Sequence, residues 1–313
     1  MDLSQLQGKR LVVLGAGYVG GLVARQAAKA GADVVALTRN PDTAADLERD
    51  GVACLVAPLH ENGWHSAIEP RADFVVNTVS SAGGGMDGYR LSYVQGQASL
   101  VQWARQGAIG RSIFTSATSV YPQSEGEWVD ESSPTAGCSQ AGQLLLESER
   151  VLLEADAPIQ RRCVLRLAGI YGPGRHLYLN QLQAGECTFQ TDADGYLNLI
   201  HQEDAATAIL AALLAPELPE QSVYNVADGQ PAAKRTIVTW LAAQVGLGAA
   251  TLAFEAPAQS SRRRLPNGQL PNRRVRVDRA RAELGWSPKF ADFRQGYRAI
   301  LSRLQAASSD LTP

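Results

Sequence analysis

Residues 11–20 read Leu-Val-Val-Leu-Gly-Ala-Gly-Tyr-Val-Gly, an apolar run of strand length that stops at three glycines. A helical pattern follows, so this stretch predicts a strand, a tight turn and a helix. In a dinucleotide-binding turn, Gly15 permits the sharp turn, Gly17 lets a pyrophosphate approach the backbone, and Gly20 lets the helix pack against the sheet. The helix N-terminus offers N–H groups and about half a unit of positive charge to the phosphates. The predicted dinucleotide contacts here are Gly15, Gly17, Tyr18, Val19 and Gly20.

Apolar runs alternate with helical patterns through the N-terminal half of the chain. The strand-like runs after the first are residues 34–37, 52–56, 73–79, 113–116 and 164–167. This alternation predicts right-handed crossovers and an α/β fold with a Rossmann-type doubly wound parallel sheet. Beyond Arg175 the pattern loosens into short strands, turns and small helices. We predict a dinucleotide-binding domain over 1–168, to which 196–228 return, and a smaller C-terminal substrate domain formed by 169–195 and 229–313.

Composition and charge narrow the class of protein. The 313 residues are 45% hydrophobic and carry a formal net charge of −2, which indicates a sizeable core and argues against nucleic acid or a membrane surface as a partner. No apolar run reaches the ~18 residues of a membrane span, and the first residues lack a signal-peptide pattern. We expect a cytoplasmic monomer or homodimer. The four cysteines and four histidines show no ligand spacing, and we predict no metal site.

The end of the second strand bears on the choice of dinucleotide. A carboxylate there, about 20 residues past the glycines, holds the ribose 2′-hydroxyl of NAD, whereas an arginine can hold the 2′-phosphate of NADP. The sequence reads Thr38-Arg39-Asn40 at this place. We therefore predict NADP, with Arg39 as the ligand of the 2′-phosphate and Thr38 as a further cofactor contact, and NAD as the alternative if Arg39 is only a solvated surface residue. The loop after the fourth strand supplies three further predicted cofactor contacts, Thr78, Val79 and Ser80.

Five separated segments together resemble the extended and atypical short-chain dehydrogenase/reductases, the superfamily that includes the NAD-dependent epimerase/dehydratases. They are Gly15–Gly20, Ser116–Tyr121, Arg166–Gly174, Asn198–Ala206 and Glu283–Pro288. The resemblance implies a Rossmann core, a smaller substrate domain and hydride transfer at C4 of the nicotinamide. In that family a tyrosine moves a proton to or from the substrate oxygen. A lysine four residues on lowers the tyrosine pKa and holds the ribose, and a serine or threonine shares the substrate oxygen.

All three of these catalytic positions are altered in this chain. With the active-site helix aligned on Glu147, Ser139 occupies the tyrosine position and Gln143 the lysine position. No Tyr-x-x-x-Lys occurs in the 313 residues, and Ala117 stands where the family has its hydroxyl, four residues before Tyr121. A serine hydroxyl has a pKa far above the ~10 of a phenol, and glutamine can bond a ribose hydroxyl but adds no charge. The chain is thus similar to the atypical, YeeZ-like branch, whose members keep the fold without the tyrosine and lysine.

Candidate site residues follow from these segments. Tyr121 is the first candidate for a substitute acid, because it ends the fifth strand, where the nicotinamide is expected. The alternative for Tyr121 is a packing role. The candidate catalytic residues are Tyr121, Ser116, Thr118, Ser139 and Gln143, and Gln143 also counts as a cofactor contact. Tyr171 is expected in a loop beneath the nicotinamide, with Arg175 and His176 facing the substrate.

A basic cluster lies in the C-terminal region of the chain. It consists of Arg262, Arg263, Arg264, Arg273, Arg274 and Arg276. Guanidinium groups suit phosphates and carboxylates, so we predict that Arg273 and Arg274 bind an anionic group of a small substrate. The alternative is a solvated surface loop.

Two functions of different class remain compatible with the sequence. The first is an NAD(P)-dependent oxidoreductase or epimerase/dehydratase-like enzyme that acts on a small substrate without a Tyr-Lys pair. The second is a non-catalytic NADP(H)-binding redox sensor or regulatory protein. The intact glycine turn supports both. The altered catalytic positions favour the second, and the polar residues expected around a substrate cleft favour the first, which we prefer.

Overall fold

The central element of the structure, a computed structural model that describes residues 1–81, 83–256 and 264–309, is a sheet of seven parallel strands. In chain order they are β1 Arg10–Leu14, β2 Asp33–Thr38, β3 Ala53–Val56, β4 Arg71–Asn77, β5 Ala108–Ala117, β6 Ile159–Leu167 and β7 Gln221–Val226. Their order across the sheet is β3-β2-β1-β4-β5-β6-β7. The predicted doubly wound Rossmann-type sheet is confirmed. Its strand order reverses between β1 and β4, where such sheets open a crevice at the carboxyl ends of their strands.

Alternate residues of the strands face two different cores. Leu11 and Val13 of β1 point into one core, and Val12 and Leu14 point into the other, as the two-residue period of a strand requires. Helices Gly20–Lys29, Pro41–Arg49, Gln202–Leu214 and Asp278–Leu284 contribute to the first core. Helices Gly96–Ala104 and Gln140–Leu153 contribute to the second. Both faces of the sheet are therefore covered, which explains its nearly continuous apolar strands.

One predicted helix is divided by a change of helical type. The segment Gly85–Tyr89 is α-helical, Arg90–Gln95 forms a π-helical turn, and Gly96–Ala104 is α-helical again. The sequence predicts a single helix from Asp87 to Gln106, because hydrophobic spacing does not reveal a π turn. This turn matters below, because it lies beside the functional cleft.

A second, smaller unit lies beyond the carboxyl edge of the sheet. Its helices are Leu179–Gln183, Lys234–Gln244 and Phe293–Ser309. Four two-stranded ribbons accompany them: Glu127–Val129 with Arg273–Val275, Gly169–Tyr171 with Leu199–His201, Thr188–Gln190 with Ala253–Glu255, and Tyr196–Leu197 with Ala232–Ala233. Its core includes Phe189, Leu241 and Tyr297. Ala280 and Leu284 instead pack in the first core of the sheet, so part of the range 229–313 belongs structurally with the sheet. In the part of the chain that the structure describes, no helix combines the length and apolarity needed to cross a bilayer.

Candidate functional site

A cleft of about 820 Å³ opens at the carboxyl edge of the sheet, between the sheet and the second unit. Loops after β1, β2 and β4 form one part of its wall. They contribute most of the predicted cofactor contacts, namely Gly15, Gly17, Tyr18, Val19, Thr38, Arg39, Thr78, Val79 and Ser80. The fold therefore brings together residues from three separate strand ends at the predicted crevice.

The three glycines of the first turn occupy different environments. Gly15 has a φ of +85°, and a Cβ there would lie 2.6 Å from the backbone nitrogen of Val79. A Cβ on Gly20 would lie 2.2 Å from Thr78 Oγ1. A Cβ on Gly17 would meet nothing closer than the Gly15 carbonyl oxygen at 4.0 Å. Gly15 and Gly20 are thus required by protein packing, whereas Gly17 keeps space open in the cleft, which fits the approach of a dinucleotide pyrophosphate.

The loop after β2 is held by a helix cap and leaves one cation available. Asn40 Oδ1 accepts hydrogen bonds from the backbone nitrogens of Asp42 at 2.8 Å and Thr43 at 3.3 Å, and so caps the helix Pro41–Arg49. Arg39 is exposed at the cleft. With the residues that the structure describes, its guanidinium forms no hydrogen bond or ion pair. It can therefore bind a ligand phosphate without first breaking a protein contact.

Three of the predicted catalytic hydroxyl residues line the cleft: Ser116, Thr118 and Ser139. Ser139 accepts a hydrogen bond from the backbone nitrogen of Gly142 at 3.3 Å and caps the helix Gln140–Leu153. Ser116 is buried, and its Oγ has no hydrogen-bond partner among the described residues. Since a buried hydroxyl is costly to leave without a partner, Ser116 is the member of this group most suited to a ligand oxygen.

Tyr121 lies outside the cleft, which corrects its prediction as the substitute acid. Its side chain is fully buried, and its hydroxyl donates to Asn225 Oδ1 and accepts from Arg166 Nη1, both at 2.9 Å. Burial also raises the pKa of this phenol. The cause is the helical turn Thr118–Val120, which directs the chain back into a small core after β5. Tyr121 therefore has a structural role beneath the cleft.

Gln143 also lies outside the cleft, and the assignment of this residue to catalysis or cofactor binding is corrected as well. It is exposed, and its Nε2 donates to the Cys138 carbonyl at 3.3 Å. The cleft-lining residues at this end of the helix are Ser139 and Ala141. The buried carboxylate of the helix is Glu149 rather than Glu147. Neither cleft-lining position carries a phenol or an amine.

Tyr171 and His176 are likewise placed away from the cleft. Tyr171 is buried and stacks on Tyr297 with ring centroids 4.8 Å apart, so the structure corrects its prediction as a cofactor contact. His176 lies 6.5 Å from the same ring, which corrects its prediction as a substrate ligand. Arg175 does line the cleft, over the ring of Tyr18 at 5.6 Å. A tight turn between Gly172 and Arg175 is closed by two 3.0 Å backbone hydrogen bonds. Tyr171, before this turn, is buried in the second unit, whereas Arg175, at its end, lines the cleft.

The predicted substrate arginines divide into two groups. Arg273 lines the cleft and donates from Nε at 3.1 Å and from Nη2 at 2.7 Å to the Thr118 carbonyl, so it also fixes the loop after β5. Arg274 lies outside the cleft, between the rings of Trp128 and Tyr196. Its guanidinium carbon, Cζ, is 5.0 Å from each ring centroid. Its prediction as a substrate ligand is therefore corrected. Arg262 and Arg263 fall outside the described residues.

Comparison with known proteins identifies the family. Residues 11–227 match the NAD dependent epimerase/dehydratase family. The chain belongs to that family. It is 35% identical over 155 residues to protein YeeZ of Escherichia coli (strain K12), a match that covers 50% of this chain and 53% of YeeZ. The chain therefore spans about half the length of this relative in the match.

Two further relatives extend the comparison over more of the chain. The 2-alkyl-3-oxoalkanoate reductase of Stenotrophomonas maltophilia (strain K279a) is 26% identical over 253 residues, 76% of each chain. The structure of the dTDP-glucose 4,6-dehydratase DesIV from Streptomyces venezuelae, with NAD bound, superposes with a TM-score of 0.80 at 21% identity, over 97% of this chain and 99% of that one. The second likeness shows the fold alone. The predicted resemblance, including its YeeZ-like character, is confirmed.

Several cleft residues of this family member were not anticipated from the sequence. The second unit contributes Tyr178, Asp192, Tyr196, Asn198 and Lys234, and the π-helical segment contributes Tyr89, Ser92 and Tyr93. They are far from the glycine turn along the chain, and of these residues only Asn198 falls in one of the family segments found in the sequence. Only the position of the π turn and of the second unit against the sheet brings them to the cleft.

Proposed function

We propose that this chain is an NADP(H)-dependent oxidoreductase, or an epimerase/dehydratase-like enzyme with the same cofactor, that acts on a small substrate with an anionic group. The observation that carries the proposal is that one cleft is lined both by the glycine turn, at Gly15 and Gly17, and by side chains of the second unit, at Lys234 and Arg273. A cofactor and a substrate can therefore meet in one space, as in most clefts that perform chemistry on a small molecule.

The chain's own residues account for binding and orientation. A bound dinucleotide supplies two-electron hydride chemistry at C4 of its nicotinamide. Gly17 and the N-terminal end of the helix Gly20–Lys29 face the pyrophosphate, and Arg39 takes the 2′-phosphate. Ser116, whose buried hydroxyl has no partner among the described residues, donates a hydrogen bond to the substrate oxygen. Arg273 keeps the neighbouring loop in position through the Thr118 carbonyl.

The charges in the cleft support an anionic substrate. On the substrate side, its lining includes the cations Arg175, Lys234 and Arg273 and, among the described residues, one carboxylate, that of Asp192. The excess of positive charge favours a carboxylate or phosphate on the substrate, because guanidinium groups bind these anions with charge-assisted hydrogen bonds. The size of the cleft limits the substrate to a small molecule beside the dinucleotide.

The test is consumption of NADPH, followed at 340 nm, with a panel of small carbonyl compounds that carry a carboxylate or a phosphate. Each acid is paired with its neutral ester. We expect at least one acid to be reduced, and its ester to react more slowly. Binding of NADPH without turnover of any compound, together with no reverse reaction from the corresponding alcohols and NADP+, would contradict the enzyme.

A second candidate, the redox sensor, is supported by one specific observation. The cleft-lining residues at the start of the helix Gln140–Leu153, Ser139 and Ala141, carry neither a phenol nor an amine. Under this alternative the dinucleotide binds and changes partner affinity without turnover. The set of proteins recovered with the chain should then differ between NADPH-bound and dinucleotide-free samples. An identical set in both states would count against the sensor.

A further inference from the structure

We infer that Tyr93, from the π-helical turn, is the phenol that donates a proton to the substrate oxygen. This inference rests on the proposed oxidoreductase function. It assigns proton transfer to the helical segment opposite Gln140–Leu153, where the sequence does not suggest a site.

Tyr93 lies at the end of the cleft where the nicotinamide is expected. Its ring packs edge-on against Phe114 of β5, with centroids 6.3 Å apart. The next two residues of β5, Thr115 and Ser116, line the same cleft as Tyr93. Arg39 lies after β2, on the other side of β1. A dinucleotide with its 2′-phosphate at Arg39 and its pyrophosphate at the turn after β1 extends across the switch point towards β4 and β5, and hence towards Tyr93.

The π turn holds Tyr93 in place through its backbone. Ser148 Oγ, on the helix Gln140–Leu153, donates to the Tyr93 carbonyl at 2.8 Å. One turn away, Arg90 pairs with Glu147 of the same helix at 3.3 Å. π turns inside helices are rare and occur frequently at functional sites. The two contacts fasten the segment to its neighbour and fix the position of the Tyr93 side chain at the cleft.

Other phenols of the chain are less suitable. Tyr18 lines the cleft, but its hydroxyl donates to the Pro173 carbonyl at 3.0 Å, and burial raises its pKa to about 12. Tyr178 and Tyr196 belong to the second unit, where Tyr178 packs on Phe189 and Tyr196 on Arg274. Tyr89, one helical turn earlier, packs against Tyr93 with the ring planes tilted and the centroids 5.2 Å apart. Tyr93 is the partner of this pair that contacts β5.

In the direction of carbonyl reduction, Tyr93 supplies the proton and the reduced dinucleotide supplies the hydride. The O–H bond of Tyr93 breaks and the O–H bond of the product alcohol forms, while the carbonyl carbon receives a hydride, with its electron pair, from the reduced nicotinamide. The carbonyl is thereby reduced by two electrons and the dinucleotide is oxidised. The Tyr93 phenolate then takes a proton from water. Before it does so, the positive charge of the oxidised ring stabilises the phenolate, as the lysine of the family does.

The experiment is an NMR titration of protein labelled with 13C at the Cζ atom of tyrosine, free and saturated with NADP+ or with NADPH. The two dinucleotides carry the same phosphates, so a difference in tyrosine pKa between the two complexes reports the charge of the nicotinamide ring. We expect NADP+, relative to NADPH, to lower the pKa of one tyrosine by about 1 unit or more. That resonance should be absent in Tyr93→Phe, which keeps the ring packed on Phe114, and present in Tyr89→Phe.

Each outcome decides the inference. Saturation by both dinucleotides with equal tyrosine titrations, or a shifted resonance that persists in Tyr93→Phe, overturns the role of Tyr93 and leaves the proposed function standing. Failure of both dinucleotides to bind overturns the two proposals together. If Tyr93→Phe does not fold, loss of the shifted resonance in Tyr89→Phe or in Tyr18→Phe overturns the role of Tyr93, and its retention in both variants supports it.

Discussion

The guanidinium of Arg166, on β6, pairs with the carboxylate of Glu149, on the helix Gln140–Leu153, and the Nη2–Oε2 distance is 2.7 Å. Both side chains are almost completely buried, at 8% and 4% exposure. Arg166 also donates to the Tyr121 hydroxyl, which donates to Asn225 of β7. This network joins the helix, β6 and β7 directly beneath the cleft. It gives Tyr121 a defined structural function in place of a catalytic one.

Replacement of Glu149 by glutamine is expected to destabilise the fold strongly. Glu149→Gln keeps the shape of the side chain but leaves the Arg166 charge buried without its counter-ion, a change that costs about 3–5 kcal/mol. Urea unfolding measures the loss. The matched control is Glu147→Gln on the same helix, because the Glu147–Arg90 pair is exposed, at 42% and 52%, and such pairs contribute about 1 kcal/mol or less. Equal losses in the two variants would contradict the importance of the buried network.

Much of the sheet follows from local sequence signals. The run Leu11–Leu14 ends at Gly15, whose positive φ and close approach to Val79 show why the glycine pattern is a reliable sign of this turn. The apolar runs predict the strands because both faces of the sheet are covered, so their side chains need no polar alternation. These signals depend on neighbours in the chain, which is why they can be read from the sequence.

The functional cleft was harder to predict because it depends on side-chain direction. Tyr121 is only five residues beyond Ser116, yet the turn Thr118–Val120 directs it into a core. Gln143 is one helical turn beyond Ser139, but it is exposed rather than in the cleft. Tyr93 enters the cleft through a π turn that has no sequence signature. Spacing in the sequence therefore predicts which segments lie near the cleft, but it does not predict which of their side chains point into it.

The glycine turn provides a test that separates folding from cofactor binding. Gly17→Ala places its Cβ in open space, so we expect a thermal stability close to wild type. The same Cβ would stand between the backbone and the pyrophosphate, and we expect NADPH affinity to fall by about 10-fold or more, equivalent to about 1.4 kcal/mol. Thermal unfolding and fluorescence titration with NADPH measure the two effects.

Gly15→Ala is the matched comparison for that test. Its φ of +85° and the 2.6 Å approach of a Cβ to the Val79 backbone nitrogen predict a loss of stability of about 1–3 kcal/mol. Retention of full NADPH affinity by Gly17→Ala would show that the pyrophosphate does not lie against this turn.

Arg39 is expected to determine the preference for NADPH over NADH. Its guanidinium is available at the cleft, and a hydrogen bond to a charged group contributes about 1.5–3 kcal/mol. Arg39→Ala should therefore weaken NADPH binding by about 10- to 100-fold and leave NADH affinity nearly unchanged, as measured by calorimetry. The control is Arg49→Ala at the end of the helix Pro41–Arg49, where the arginine pairs with Asp46. Equal wild-type affinities for the two dinucleotides would refute the assignment of Arg39.

Asp228, just after β7, should make the stability of the protein depend on pH in an unusual direction. Burial raises its pKa to about 7, and Asp204 and Asp292 add to the effect, whereas an unfolded aspartate has a pKa of ~3.9. Between these two values the folded state binds more protons than the unfolded state. The contribution of Asp228 to the free energy of unfolding therefore falls as the pH rises from about 4 to 7, and stays low above that.

Asp228→Asn removes this penalty while it retains an oxygen to accept the 2.8 Å hydrogen bond from the Gln230 backbone nitrogen. We expect the variant to be more stable than wild type by about 2–4 kcal/mol at pH 8, and by much less at pH 4.5. Urea unfolding at the two pH values measures the difference. His201, whose pKa burial lowers to about 4, changes stability in the opposite direction but equally in both proteins, so it cancels. Asp194→Asn, at an exposed pair with Arg235, should show no such pH dependence, and an equal gain for Asp228→Asn at both pH values would mean that Asp228 is ionised throughout.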